Sequence, residues 1–378
     1  MNESQPLAGI TVVELCHSVA GPYGGQILAD LGAEVIKVES PKGGDYARGW
    51  GPPFWDGEAA PFLSYNRNKM GVTVDFRDAG QLQALKDLIV ERADVVLQNH
   101  RPGSINQYGL DGATLLAAKP SLVYCNLGAF GTVGPKKDKP GYDPLMQACG
   151  GIMSVTGTGD GEPVRVGASV VDLGSGMWLA IGVIAALFRR ATTGRGCVVD
   201  TSLYETALAW MCNHIAGYLA NGEIRKPRGS GIAEIVPHQA FPTADGYVMV
   251  AAGNDGLFAR LCGALGHPEW AEDERFVSNS ARIANREAVI GLLGDEFRAR
   301  PTAQWLDRLD AVGVPAAPLQ SVDKVVADAQ TEAVGIIQQA PDSDVRLVGV
   351  PLSFDGERPP HYRAPPRHGQ HNAEVFKR

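Results

Sequence analysis

The chain has 378 residues, 44% of them hydrophobic and 20% charged, with a formal net charge of -8. That length predicts two domains or one elaborated α/β unit, and the composition excludes a disordered or fibrous chain. The acidic average argues against a nucleic-acid backbone as partner, although a few local cations can still hold a small anion.

The six cysteines (Cys16, Cys125, Cys149, Cys197, Cys212 and Cys262) lie scattered among apolar neighbours with no C-x-x-C pair. This spacing speaks against a zinc site or a disulfide framework and for a reduced, cytoplasmic setting. The opening MNESQPLAGITVVEL has no basic leader ahead of an apolar run, so no signal peptide is expected. The longest uncharged run, residues 173–188, carries Gly174, Gly176 and Gly182. It is shorter than the roughly 20 residues a bilayer requires, so a buried core helix is expected there and no membrane span.

Residues 10–15 read as a buried strand, 24–31 as a short helix and 34–39 as the next strand. Another strand is expected at 72–75, followed by Leu82, Leu85, Leu88 and Ile89 on one helical face, with further strands at 95–97 and 122–126. This alternation predicts a parallel sheet with right-handed crossovers, a Rossmann-like layer. The pattern Ser202-x-x-Glu205 opens a helix expected over 203–219, and the glycine-bearing stretch 222–231 reads as a linker. Residues 239–241 and 247–252 flank Ala244-Asp245-Gly246 as a β-hairpin. Leu257, Phe258, Leu261, Cys262 and Leu265 then form a helical stripe that Asp255 is placed to cap. Helices are expected over 288–297 and 303–309, and the proline-rich stretch 359–366 must run extended.

Several stretches carry candidate chemistry. The first βα turn, Ala20-Gly21-Pro22-Tyr23-Gly24-Gly25, is followed by a strand ending in Glu39, where a dinucleotide fold places its ribose-binding acid. The G-x-G-x-x-G spacing is absent and Pro22 removes an amide, so the alternative is a helix simply started by proline. Cations cluster in three loops: Arg48 within Asp45–Trp50, Arg67 and Lys69 with Arg77 beyond, and Arg101 within Asn99–Gly103. Guanidinium groups beside glycines suit a phosphorylated ligand, and a solvated surface is the alternative. Asp172 stands between β-branched residues and the apolar helix. It reads either as an N-cap or as a carboxylate nucleophile held at a helix N-terminus. The eight histidines show no metal-ligand spacing, and neither a G-x-S-x-G elbow nor a Cys-His constellation stands out.

These residues fall within a longer ordered series of motifs: LAGITVVEL, AGP, LADLGAEVIKVE, GDYARGWGPPF, YNRNK, QNHRPG and PGYDPLMQACGG. VDLGSGMWLAIGVIAALFRRATTGRG, VPHQAFPTADGYVMVAAGND, GVPAAP and APPRHGQH follow. Over nearly its whole length the chain resembles the class III CoA-transferases, the family that also includes methylacyl-CoA racemase. The resemblance implies an interlocked, ring-shaped homodimer with an α/β architecture. A Rossmann-like CoA-binding domain would span 1–200 and 325–378, a linker helix 201–228, and a smaller α+β domain 229–324.

It further implies that Asp172 attacks the acyl-CoA thioester, through a mixed anhydride and an aspartyl-CoA thioester. CoA is then a substrate, with no tightly bound cofactor. The implied CoA contacts are Val19, Ala20, Phe76, Arg77, Asn99, His100, Arg101, Tyr142 and Asp143. Val19 and Gln107 depart from residues common in formyl-CoA transferases, and Arg48, Arg77, Arg101 and Lys139 are the cations available in compensation. The glycine-rich substrate loop is reduced to Arg228-Gly229-Ser230-Gly231, which disfavours formyl or oxalyl groups. Racemase members pair the aspartate with histidine in G-H-D, whereas this chain reads Gly141-Tyr142-Asp143. Tyrosine, with a reference pKa of about 10, is a poor base at neutral pH. Transfer is therefore the implied reaction, with racemisation or CoA binding without catalysis as alternatives. Residues 204–253 are most similar to the dicarboxylate-using glutarate branch, which implies succinyl-CoA as donor.

Overall fold

The computed structural model describes residues 5–159, 161–341 and 343–376. Two compact units are formed: Met1–Ile152 with Arg165–Glu223 and Gln330–Arg378, and Met153–Val164 with Ile224–Ala329. The stretch read as a linker helix, 201–228, thus divides, with its helical part in the first unit.

The first unit is built on six strands: β1 (Thr11–Leu15), β2 (Glu34–Glu39), β3 (Lys69–Thr73), β4 (Val95–Gln98), β5 (Val123–Gly128) and β6 (Cys197–Ser202). They lie in the order β3-β2-β1-β4-β5-β6, every pair parallel. This is the 3-2-1-4-5-6 order of a doubly wound α/β sheet. Val12, Val13, Val95, Val96 and Leu97 are completely buried, as a sheet covered on both faces requires. The third strand starts at Lys69, three residues before the expected start, because a buried lysine hid its beginning from the hydrophobic pattern.

The helices that matter for the site are α1 (Ala20–Asp30), α2 (Asp143–Cys149), α3 (Val170–Thr193), α4 (Leu203–Trp210) and α5 (Cys212–Asn221). The first begins four residues earlier than expected, and Pro22 sits in its first turn, where an amide has no intrahelical partner to lose. The expected 203–219 helix is two, broken at Met211; Ser202 caps the first, its Oγ accepting from Glu205 N at 3.2 Å, while the Glu205 carboxylate accepts from the Ser202 hydroxyl.

Backbone meets backbone where α1 and α3 cross. A Cβ added to Gly176 would lie 2.6 Å from the carbonyl oxygen of Ala20, and one added to Gly24 would lie 2.8 Å from that of Gly176. Gly174 leaves room for the Trp210 ring, whose Nε1 donates to Val170 O at 3.2 Å. Ser175 is fully buried, its Oγ hydrogen-bonded to Val171 O at 2.7 Å and standing 2.8 Å from Thr206 Oγ1. The expectation of a buried core helix holds for only one face. Val171, Leu179 and Val183 are buried, but Met177, Trp178, Ile181, Ile184 and Phe188 are between 37% and 76% exposed. By length and composition this helix could cross a membrane, and half of its apolar window is buried in the protein.

Beneath the crossing lies a network of paired, largely buried charges. Lys37 Nζ meets Glu14 Oε1 at 3.1 Å and Asp45 Oδ2 at 2.8 Å, and Lys69 Nζ meets Glu14 Oε2 at 2.8 Å. Arg48 forms a fork on Glu39 at 2.9 and 2.8 Å, with Glu58 on its other side at 2.9 Å. Burial pulls the Lys69 ammonium down to about 8, while the two carboxylates facing Lys37 outweigh burial and push its ammonium up. Paired charges of this kind cost most when one partner is removed.

In the second unit β7 (His238–Pro242), β8 (Tyr247–Ala251) and β9 (Ala316–Pro318) form an antiparallel sheet, so the expected hairpin is present. It packs with Phe258, Phe297 and Trp305 in one core. The helix α6 (Asp255–Leu265) is capped by Asn254, whose Oδ1 accepts from Leu257 N at 2.8 Å, and not by Asp255. Asp255 instead pairs at 2.9 Å with Arg282, a fully buried guanidinium that also donates to the carbonyls of Val236 and Phe276.

Gly176→Ala forces its Cβ into the Ala20 carbonyl and is expected to destabilise the protein by about 1–3 kcal/mol. Urea unfolding monitored by fluorescence measures this, and an unchanged midpoint would refute the close helix contact.

Candidate active site

Strand order reverses between β1 and β4, and ligands of doubly wound sheets bind outside the carboxyl ends of the strands at that point. A cleft of 360 Å³ lies there. Its walls are His17, Ser18, Val19 and Ala20 after β1, Asn99, His100 and Arg101 after β4, Lys139 and Tyr142 after β5, and Asp172 in the first turn of α3. A neighbouring cavity of 380 Å³ shares His100 and Arg101 but extends over β5 and β6 to Asn126 and Asp200, without Asp172 in its walls.

The floor of the cleft is a turn whose backbone is held from below. Lys37 donates to Cys16 O at 2.9 Å. Asn99 clamps His17, accepting from its N at 3.0 Å and donating to its O at 2.8 Å. Asp45 Oδ1 accepts from Ser18 N at 2.8 Å, which holds Ser18 in a left-handed conformation of φ 70°. The same oxygen accepts from Ala47 N at 3.0 Å, tying this floor to the short helix Tyr46–Gly49. Asn99, expected as a CoA contact, thus spends its amide on the turn while lining the cleft.

Aromatic rings crowd one side. His17 stands 5.3 Å from Tyr46 and 5.5 Å from His100, and Phe76 follows at 6.3 Å from His100. Burial, and then the neighbouring His17, lowers the His100 imidazole to about 4; burial lowers His17 as well. Both rings are therefore neutral at pH 7. Positive charge in the cleft comes from Arg101 and Lys139, both exposed, and the Arg101 guanidinium has no partner among the described residues.

Asp172 is half-buried, and its carboxylate accepts no hydrogen bond among the described residues. It does not cap its helix. That task falls to Asp143, whose Oδ2 accepts from Val171 N at 2.8 Å and Asp172 N at 3.3 Å. Burial, then the Asp143 charge, pushes the Asp172 carboxyl up to about 7. An unpartnered, desolvated carboxylate of high basicity in a ligand cleft has the attributes of a nucleophile.

Four expected contacts are placed differently. Arg48 is half-buried in its pairs with Glu39 and Glu58 over the Phe62 ring, and does not line the cleft. Glu39 likewise serves Arg48 and Asp45 N, which leaves it no ribose role. Arg77 is exposed and folded back on its own neighbour Asp75 at 2.9 Å. Asp143 is 2% exposed with both oxygens spent inside the fold. Phe76 reaches the site only through His100. Gly229, Ser230 and Gly231 belong to the second unit, where Gly229 N donates to Gly157 O and Ser230 Oγ accepts from Ala240 N. Sequence reading missed Tyr46 and Trp50, 66% and 41% exposed at the cleft. Their signal was two aromatics four residues apart around Arg48, which no local pattern separates from core aromatics.

The family model described as CoA-transferase family III matches residues 7–372. The chain belongs to this family. Succinyl-CoA:glutarate CoA-transferase of Mus musculus is 35% identical, over 99% of this chain and 86% of that protein. Succinate–glutarate CoA-transferase of Agrobacterium fabrum is 37% identical, over 99% and 96%. Acetyl-CoA:oxalate CoA-transferase of Acetobacter aceti is 35% identical, over 95% and 91%. Among solved structures, a CAIB/BAIF family protein from Brucella suis is 40% identical with a TM-score of 0.90, covering 98% of each chain. A hypothetical protein from Mycobacterium tuberculosis is 32% identical with a TM-score of 0.88, over 99% of this chain and 100% of that one. The chain is thus an enzyme of the family III CoA-transferases, whose substrates are CoA thioesters.

Replacing Asp172 tests its environment independently of chemistry. A buried carboxyl whose pKa is raised on folding opposes folding increasingly from about pH 4 up to its folded pKa, because ionisation is easier in the unfolded chain. Asp172→Asn is therefore expected to raise Tm at pH 8, with the gain vanishing below pH 4. An equal or lower Tm at pH 8 would contradict the desolvated carboxylate.

Proposed function

We propose that this enzyme moves CoA from succinyl-CoA to a dicarboxylate acceptor, with Asp172 as the covalent carrier. The observation that carries the mechanism is the unpartnered Asp172 carboxylate in the cleft at the sheet's switch point. The dicarboxylate preference is supported by relatives named for glutarate, oxalate and D-citramalate transfer.

The steps balance without water or a further reactant. An Asp172 oxygen attacks the thioester carbonyl, the C–S bond breaks, and a mixed anhydride forms with CoA thiolate released. The thiolate attacks the aspartyl carbonyl of the anhydride, giving an aspartyl-CoA thioester and free succinate. The acceptor carboxylate then attacks this thioester to form a second anhydride. The returning thiolate takes the acceptor acyl group and restores Asp172. Each intermediate is hydrolysable, so the chemistry requires a site closed to water. Arg101 and Lys139 suit the CoA phosphates, and the ring row from Tyr46 to Phe76 suits its adenine.

A second copy of the chain is the proposed cover for the exposed apolar faces of α3 and α5, where Ile215, Tyr218 and Leu219 add to Met177 through Phe188. This supports the homodimer, in the interlocked form that the family resemblance implies. Sedimentation equilibrium is expected to give twice the chain mass, and a monomer would contradict it.

The reaction is tested by mass spectrometry of CoA products in heavy water, with succinyl-CoA and a panel of mono- and dicarboxylic acids. New dicarboxyl-CoA thioesters are expected, and Asp172→Ala should lower their formation at least roughly a thousandfold. Deuterium uptake into a branched acyl-CoA without new thioesters would overturn the reading in favour of racemisation.

A further inference from the structure

Asp143 was expected to touch CoA, and its surroundings give it other work. Its carboxylate is 2% exposed. One oxygen accepts from Val171 N and Asp172 N, the first-turn amides of α3; the other accepts from Gln147 Nε2 at 2.6 Å. Gln147 is fully buried and turns its own oxygen to Val166 N at 2.8 Å, fastening the strand of chain that leads into α3. Asp143 and Gln147 stand one turn apart on α2, so a single helical face holds both the approach to α3 and its first amides. The backbone amide of Asp172 is itself one of those held.

Resting on the reading of Asp172 as carrier, we infer that Asp143 is a positioning residue that fixes the backbone of the nucleophile and withholds from its side chain the positive end of α3. A helix N-terminus ordinarily stabilises a nearby carboxylate anion and weakens it as a base. Here the amides that would do so are occupied by a second carboxylate, whose charge also acts through space on the Asp172 carboxyl. The nucleophile is thereby kept basic. A more basic carboxylate is a stronger nucleophile toward the thioester carbonyl, and in the first anhydride it is a poorer leaving group than succinate, so the returning thiolate expels succinate and CoA stays on Asp172.

The other ionisable groups around this end of α3 do not supply that effect. Tyr65 is pushed up by burial and then by Asp172, and Tyr23 of α1 is pushed up by burial; both phenols remain neutral. Tyr142 is 57% exposed, and Lys139 and Arg101 are cations that would act in the opposite direction. His17 and His100 are neutral.

Two variants separate charge from hydrogen bonding. Asp143→Asn removes the charge but sets its amide against that of Gln147. The double variant Asp143→Asn with Gln147→Glu gives that amide and Val166 N a carboxylate acceptor, moving the charge away from α3 while leaving an oxygen for its amides. In protein carrying carbon-13 at aspartate carboxyls, the Asp172 resonance is assigned by its loss in Asp172→Asn and followed against pH. Its midpoint is expected to fall by roughly one unit in the double variant, and the acid limb of succinyl-CoA cleavage to move with it. An unchanged midpoint in the folded double variant would overturn the inference. The titration is read without turnover, so it stands apart from the transferase reading: continued transfer in Asp172→Ala would defeat that reading, whatever the midpoint does.

Discussion

The crossing of α1 and α3 through Gly24 and Gly176 is the constraint on which the site depends. With no side chain between them, the two helices approach until the backbone of one touches the backbone of the other. Asp172 stands one turn before Gly176, so this contact sets the proposed nucleophile beside the N-terminus of α1 and over the turn leaving β1. Gly174 and Ser175 complete the seat by admitting Trp210 and binding Thr206. The spacing of aspartate, glycine, serine and glycine is thus a packing requirement as much as a chemical one.

Charge is distributed in two layers. Below the cleft, Glu14, Asp45 and Glu39 are matched by Lys37, Lys69 and Arg48, and the set holds the turn at Cys16–Ser18 from beneath. Removing one member would leave a buried charge unpaired, which explains why so polar a cluster behaves as part of the core. In the cleft itself the histidines are neutral, cations stand at exposed positions, and among the described residues Asp172 is the one carboxylate in its walls. In the proposed reaction the exposed cations draw anionic substrates to a carboxylate that burial has made more basic.

Much of the sheet was legible, because buried parallel strands are continuous apolar runs; Glu34–Glu39 was placed to the residue. The cations of the loops were harder. Arg48, Arg67 and Lys69 were weighed as phosphate ligands or solvated surface; Arg67 and Lys69 are buried partners of acids distant in sequence, and Arg48 is half-buried against Glu39. Glu14 and Lys37 become neighbours only through the register of β1 on β2, which no local pattern encodes. For the same reason the choice between N-cap and nucleophile at Asp172 stayed open locally: the residue that takes the capping role, Asp143, is 29 positions away. The outward apolar face of α3 also escaped, since a helix apolar all round reads as buried.

Covalent passage of CoA through Asp172 has an isotopic consequence that no direct transfer shares. When the acceptor carries oxygen-18 in its carboxylate, the oxygen that bridges the second anhydride stays with the enzyme as CoA thiolate leaves with the acceptor acyl group. Peptide mass spectrometry after turnover with succinyl-CoA and labelled glutarate is expected to find oxygen-18 in the peptide containing Asp172 and in no other. New thioester formed with every peptide unlabelled would contradict a carrier role for this residue.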